Sequence, residues 1–268
     1  DLAPDVEVGT YHQFCLDRLR EAGQEVKVPP NAGAAFWKEQ VPERFDALIK
    51  TAALAYDAVI VDEGQDFHCE YWLTIEQLVG PEGYFYIFYD PQQNLYGSPL
   101  EFPIAGPPFV LQENCRTTRA IFQTLRQHAE RAMAIRDEAP EGEPVRTLVA
   151  RSARQQQKHL ASLLHELVNQ SHVSPQRIVI LGGHSLKHTS LGGTVQLGNF
   201  TIAEGTDLLP NGIPYNTYMG FKGCEADVVI LLDVSEEDDR WASRMALYTA
   251  KSRAKHLLYV LALEESDR

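Results

Sequence analysis

The sequence predicts an α/β fold of parallel sheets flanked by helices, arranged in two modules. Short apolar runs rich in β-branched residues alternate with helical patterns along the 268 residues. Two of these runs, Ala58–Val61 and Val228–Leu232, are continuously apolar, which is typical of strands covered on both faces in parallel sheets. Because single cores stop growing efficiently at about 250 residues, a chain of this length favours two modules.

The strand pattern is repeated along most of the chain. The predicted strands are Tyr56–Val61, Tyr84–Tyr89, Phe109–Leu111, Val145–Val149, Arg177–Leu181, Val228–Val234 and Leu257–Leu263. Leucines on one stripe predict an amphipathic helix over residues 154–170. A short hairpin is expected around residues 194–202. Four prolines and a glycine in Pro99–Pro108 interrupt helix and strand, so we place the boundary there and expect modules at 1–105 and 106–268.

Composition limits the classes of function. The four cysteines are widely spaced and form no C-x-x-C pair, so neither a zinc site nor a disulfide scaffold is indicated. No apolar run approaches the roughly 20 residues that span a bilayer, so a cytoplasmic protein without a membrane partner is expected. The net charge of −13 argues against a broad basic surface for duplex DNA, because such surfaces need clustered Lys and Arg. Any nucleic-acid contact is expected to be local.

Two adjacent carboxylates, Asp62 and Glu63, follow the first predicted strand. Ligands bind at the carboxyl ends of parallel strands. A first carboxylate there can hold Mg²⁺, and the next can orient and deprotonate a water for phosphoryl transfer. For this pair alone, a solvated acidic strand end is the simpler interpretation.

Together with Gln65 and Asp66, this segment resembles the DExQD motif II of superfamily 1 DNA helicases of the UvrD/Rep type. Five more segments resemble motifs of that family, in the family's order: Thr10–Cys15 (motif Ib), Tyr89–Gly97 (III), Leu111–Thr117 (IV), Thr217–Val229 (V) and Leu247–Lys255 (VI). Six ordered matches from Thr10 to Lys255 are far less expected by chance than any single one.

The resemblance implies two RecA-like (P-loop NTPase-type) parallel-sheet domains, the first incomplete, and it assigns roles to individual residues. The implied catalytic residues are Glu63, Gln93, Arg116 and Arg253, the last as an arginine finger. The implied ATP-binding residues are Asp62, Lys222, Gly223 and Glu225. Of these, Asp62 also holds the metal and Glu225 binds the ribose. The implied DNA-binding residues are Thr10, His12, Tyr96 and Thr217. Taken singly, three of these residues have simpler interpretations. Arg116 would cap a helix, Gln93 would stabilise a turn, and Arg253 would be a solvated helix residue.

The function implied is that of an ATP-dependent DNA helicase or translocase. It would use ATP and Mg²⁺, hydrolyse ATP at the interdomain cleft, and move on single-stranded DNA. The segments between the motifs leave little room for an inserted domain that engages duplex DNA. Translocation is therefore a safer expectation than processive unwinding. Metal-dependent DNA cleavage by the carboxylates Asp62, Glu63 and Asp66 is a less favoured alternative.

The sequence also departs from the family pattern. It contains no Gly-Lys dipeptide and therefore no Walker A loop. We expect an N-terminally truncated protein or a fragment, inactive in isolation, whose partners include the missing N-terminal segment. Cys115 stands where the family has an adenine-stacking tyrosine, and Met219 stands where it has a histidine. These departures keep open a degenerate helicase-like module that binds a protein partner or single-stranded DNA without hydrolysis.

Overall fold

The structure is a computed structural model that describes residues 6–95, 97, 99–129, 133–205, 211–235 and 244–264. The chain forms two compact units, Asp1–Pro108 and Phe109–Arg268. Both combine helices with strands, and the pairing in each is mainly parallel. The predicted α/β fold class is confirmed.

Unit 1 consists of helices on one face of a small sheet. Its elements are α1 (Tyr11–Glu21), a π-helical turn (Phe36–Gln40), α2 (Val41–Ala52), β1 (Tyr56–Val61), a 3-10 turn (Gly64–Asp66), α3 (Cys69–Gln77), β2 (Val79–Ile87) and a second 3-10 turn (Pro91–Gln93). Helix α1 begins after Thr10, whose hydroxyl accepts the Gln13 N–H at 3.4 Å as an N-cap. Strands β1 and β2 pair in parallel, with Val59 opposite Phe85 and Val61 opposite Ile87.

The sheet of unit 1 is buried on one face. Val59 and Val61 pack against residues of the three helices. On the other face, Ile60 is 65% exposed, and Tyr84 and Tyr86 are exposed as well. The prediction that both faces of β1 are covered is therefore wrong within the described part of the chain, because the helices of unit 1 pack on the Val59 side.

Unit 2 is built on a larger sheet. Its elements are β3 (Glu113–Asn114), α4 (Arg119–Arg126), β4 (Ala134–Ile135), β5 (Arg146–Ala150), α5 (Ala153–Leu164), β6 (Ile178–Gly182), β7 (Val195–Leu197), β8 (Phe200–Glu204), β9 (Gly212–Thr217), β10 (Ala226–Val234), α6 (Arg244–Lys251) and β11 (Ala254–Leu263). The sheet has the order β5-β11-β10-β6-β9-β8-β7 and is parallel except for the β7–β8 hairpin. Strands β3 and β4 form a separate short parallel pair.

The core of unit 2 lies between α5 and the central strands. Ile180 of β6 and Ile230 of β10 are fully buried, as are Leu160 and Leu164 on the inner stripe of α5. Burying each such side chain stabilises the fold by about 1.5–3 kcal/mol. The predicted helix over 154–170 is confirmed: α5 continues as a π-helical turn over His165–Gln170.

The strand predictions differ from the structure in several places. The strand predicted over Tyr84–Tyr89 is offset, since β2 spans Val79–Ile87. The predicted strand Phe109–Leu111 is wrong: these residues are exposed and unpaired, and the strand pairing begins at Glu113. Strand β9 was not predicted, because its sequence GIPYNT contains glycine and proline, which are rare inside strands. The described helices are all too short or too polar to cross a lipid bilayer.

Candidate functional site

The chain turns sharply where β1 ends. Glu63 adopts φ +53° and ψ +40°, a left-handed conformation that costs a non-glycine residue about 1–2 kcal/mol. At the next position, a Cβ on Gly64 would lie 2.7 Å from the Ile87 side chain, so glycine permits this close approach. The Gly64 N–H donates to the Phe88 carbonyl at 2.9 Å. The turn is thereby fixed to the end of β2.

The two carboxylates at this turn have different surroundings. Asp62 is exposed, and its Oδ1 accepts the Glu63 N–H at 2.8 Å. Glu63 is half-buried, and its Oε2 accepts Nε2 of Gln65 at 2.5 Å. One carboxylate therefore faces solvent, whereas its neighbour is held by a side chain of the same turn.

Hydrogen bonds connect this turn to the segment after β2. Gln65 is only 1% exposed, and its Oε1 accepts the Asp90 N–H at 2.9 Å. The Asp90 carboxylate accepts Nε2 of Gln93 at 2.7 Å and the Gln92 N–H at 2.9 Å. We call Glu63, Gln65, Asp90 and Gln93 the strand-end network. It joins Glu63 and Gln93, two of the predicted site residues, through Gln65 and Asp90, which lie in the motif II and motif III segments but were given no role of their own.

In unit 2, Glu225 lies between two cations. Its Oε2 is 3.1 Å from Nε of Arg116, and its Oε1 bonds Nζ of Lys255. The Lys255 hydrogen bond, followed by the charges of Lys255 and Arg116, holds the pKa of Glu225 below its usual range. Sequence reasoning placed Arg116 and Glu225 at the site but missed Lys255, although it ends the motif VI segment.

Arg253 lies in the turn between α6 and β11 and is only 2% exposed. Its guanidinium donates to the carbonyls of Thr249 (3.1 Å) and Cys224 (3.2 Å) and to the Ser252 hydroxyl (2.9 Å). The simpler interpretation of Arg253 as a solvated helix residue is therefore wrong. The side chain ties the end of α6 to the segment that carries Glu225.

Arg116 precedes α4 but does not cap it. The N-cap is Thr118, whose hydroxyl accepts the Ile121 N–H at 3.5 Å. Asn114 Oδ1 accepts the N–H groups of Arg116 and Thr117, each at 3.0 Å. This Asn114 turn fixes the backbone from which the Arg116 side chain reaches Glu225.

Thr217 ends β9, and Lys222 and Gly223 follow in the connection to β10 that also carries Glu225. The Thr217 hydroxyl accepts the Gly220 N–H at 2.9 Å, which closes the turn. The Lys222 side chain is half-buried, and Gly223 adopts φ +78°, which favours glycine. The structure thus places three predicted nucleotide-binding residues, Lys222, Gly223 and Glu225, within four positions of one loop.

Two of the predicted DNA-binding residues in unit 1 have structural contacts. Thr10 caps α1. Nε2 of His12 lies 3.1 Å from the Trp37 carbonyl and 3.2 Å from the Tyr71 hydroxyl, and burial lowers the pKa of His12. Tyr96 lies outside the described residues. The role of these residues in DNA binding stays a prediction.

A magnesium role for Asp62 also stays a prediction. Among the described residues, no group of three or more His, Cys, Asp or Glu side chains has a geometry suited to a metal ion. Mg²⁺ in phosphoryl-transfer sites is commonly bound by one or two carboxylates together with substrate phosphates. The exposed carboxylate of Asp62 fits that mode of binding.

Comparisons with known proteins give a distant structural similarity. No protein-family model and no curated protein match the sequence. Among solved structures, the chain is similar to one described as the C-terminal domain of a possible DNA helicase from Lactobacillus plantarum. The identity is 24%, the match covers 56% of this chain and 88% of that chain, and the TM-score is 0.41. A likeness of this size does not assign a function.

Proposed function

We propose that this chain carries catalytic residues of an ATP-dependent DNA translocase or helicase of the UvrD/Rep type. The observation that carries the proposal is the strand-end network. Its hydrogen bonds connect Glu63, at the end of β1, with Gln93, after β2. The carboxyl ends of parallel strands are where α/β proteins bind nucleotides. A carboxylate and an amide held there in fixed orientation suit phosphoryl transfer to water.

In this proposal, the residues of unit 1 act on the terminal phosphate and the attacking water. Mg²⁺, when bound with the phosphates at Asp62, would supply neutralising charge. Glu63, held by Gln65, orients the water and accepts its proton. The Gln93 amide, held by Asp90, contacts the γ-phosphate. Both roles need a preorganised side chain, which the hydrogen bonds of the network provide.

For unit 2 we propose nucleotide-binding roles of its own residues. The ionised Glu225 accepts hydrogen bonds from the ribose hydroxyls. The Arg116 side chain turns from Glu225 toward the phosphates. Arg253 stabilises charge on the transferred group, and an arginine in this role contributes about 10³–10⁵ in rate. Arg253 has to leave the carbonyls of Thr249 and Cys224 to do so, which links its rearrangement to nucleotide binding.

Single-stranded DNA is the proposed track. With a net charge of −13, the chain favours contacts by a few residues over a broad basic surface. Thr10, His12 and Thr217 are the described candidates. Translocation follows if nucleotide binding and hydrolysis alternately change the grip of these residues on the strand.

The test is DNA-stimulated ATP hydrolysis by the complete gene product. Glu63→Gln and Arg253→Ala should each lower the rate by at least about 100-fold, because a positioned base contributes about 10²–10⁴ and an arginine finger about 10³–10⁵. Asp57→Asn, which changes an exposed carboxylate on the same strand, is the matched control and should keep the rate. Unaltered turnover in both site variants would defeat the assignment.

A second candidate is a helicase-like module that binds single-stranded DNA or a protein partner without hydrolysis. It is favoured by the bonding of the Arg253 guanidinium to carbonyls of its own chain. Reading the gene upstream of codon 1 separates the two candidates. A G-x-x-x-x-G-K-[ST] segment in frame would remove this one, whereas a start codon directly upstream of codon 1 would favour it.

A further inference from the structure

Unit 2 contains a pocket of about 370 Å³ beside Glu225. This volume lies within the roughly 300–1,000 Å³ of small-molecule sites. Its apolar lining includes Ile178, Pro214 and Phe221, and Gln176 contributes an amide. Its charged lining consists of Arg177, Asp227, Glu225 and Lys255.

The charges that line this pocket neutralise one another. Glu225 bonds Lys255, and Asp227 bonds Arg177. A polyphosphate would have to break these pairs to enter, whereas an uncharged ring system would not. The pocket therefore suits the uncharged part of a nucleotide.

The two oxygens of the Glu225 carboxylate face different groups: one contacts Arg116, and the other contacts a residue that lines the pocket. Arg116 bonds Oε2 of Glu225, and Lys255, which lines the pocket, bonds Oε1. Arg116 is not among the described residues of the lining. A nucleotide with its sugar at Glu225 can thus direct its phosphates toward Arg116 and its base into the pocket.

We infer that this pocket binds the base of the nucleotide whose sugar binds Glu225, an inference that rests on the proposed function. Phe221 and Pro214 supply the apolar surface on which the base packs. Gln176 also lines the pocket, with its Oε1 accepting the Ser174 hydroxyl, and its amide N–H is the group proposed to bond the base edge. Cys115 presents an exposed thiol, which offers no ring for stacking. The pocket replaces the stacking contact that position 115 does not provide.

The first experiment titrates the chain of 268 residues with adenosine, ADP and inorganic tripolyphosphate. Adenosine should shift the NMR amide signals of Gly212, Phe221 and Ala226. Phe221→Leu should weaken ADP binding about tenfold, in line with the worth of one base–aromatic contact. It should leave tripolyphosphate binding unchanged. Phe109→Leu is the control, because Phe109 is 91% exposed in the same unit and does not line the pocket.

A second variant protects the test against loss of folding. Gln176 is exposed, so Gln176→Ala should keep the thermal unfolding curve and weaken ADP binding about threefold, as expected for one modest hydrogen bond. Unchanged ADP affinity in both Phe221→Leu and Gln176→Ala, or an adenosine titration that shifts none of the three amides, would overturn the inference.

The inference and the proposed function can fail separately. If adenosine binds this pocket but the complete gene product hydrolyses no ATP, the pocket stands and the proposed function fails. If ATP hydrolysis depends on Glu63 but Phe221→Leu leaves the KM for ATP unchanged, the pocket assignment fails and the proposed function stands.

Discussion

The two units contain strands of similar sequence with very different surroundings. Ile60 in β1 and Ile230 in β10 each lie in a continuous apolar run, yet Ile60 is 65% exposed and Ile230 is fully buried. Strand β10 pairs with β11 and β6, whereas β1 pairs with β2 in a two-stranded sheet. An apolar run thus predicts a parallel strand, but it does not reveal how many neighbours cover that strand.

The largest expected effect comes from truncating these two isoleucines. Ile230→Ala should lower the free energy of unfolding by about 2–5 kcal/mol, because it leaves a cavity in a closed core. Ile60→Ala should change it by no more than about 0.5 kcal/mol, as surface substitutions do. Urea unfolding followed by circular dichroism measures both. Equal losses would show that β1 is as well covered as β10.

A smaller effect is expected from Gln65→Leu. The substitution removes the amide between Glu63 and Asp90 and leaves the Asp90 N–H without its acceptor, which costs about 1–3 kcal/mol. Gln24→Leu, at an exposed position just after α1, is the control and should cost less than about 0.5 kcal/mol. If urea unfolding gives the two variants the same stability, the network does not hold the strand ends of unit 1 together.

In unit 2, His128 predicts a dependence of stability on pH. Burial, together with the charges of Lys251 and Arg244, lowers the pKa of His128 to about 4. The folded state therefore favours the neutral ring, while the unfolded chain takes up a proton near pH 6.5. The stabilisation is present above pH 6.5 and is lost as the pH falls toward 4.

The expected loss is about 1 kcal/mol, after allowance for the water that reaches the half-buried ring. Thermal unfolding at pH 7 and pH 4.5 measures it. His128→Gln should reduce the difference in Tm between the two pH values. An undiminished difference in that variant would mean that His128 is not its source.

The smallest effect on stability is expected at Lys255. The Lys255–Glu225 pair is partly exposed, so Lys255→Met should cost no more than about 1 kcal/mol. The pKa of the Glu225 carboxyl should nevertheless rise, because its principal cation is lost, and Lys255→Arg should keep it low. An NMR titration of the carboxyl carbon reads this directly. The same pKa in the wild type and Lys255→Met would contradict the described contact.

The sequence predicts local patterns better than it predicts their partners. Strands β6 and β10 and helix α5 were predicted because their apolar spacing repeats over many residues. The bond between Gln65 and Asp90 was not predicted, because the two residues are 25 positions apart and meet only when β1 and β2 pair. The burial of Arg253 was not predicted either, because its guanidinium bonds the Cys224 carbonyl, which lies in another segment of the chain.

The central claim is that Glu63 and Gln93, which the strand-end network joins, act in one hydrolysis reaction. A double-variant cycle with Glu63→Gln and Gln93→Ala, measured as DNA-stimulated ATP hydrolysis by the complete gene product, tests it most directly. Residues that act as one catalytic unit have strongly non-additive effects. We predict that the double variant is about as slow as the slower single variant. Losses that simply multiply, or an absence of loss in either single variant, would contradict the claim.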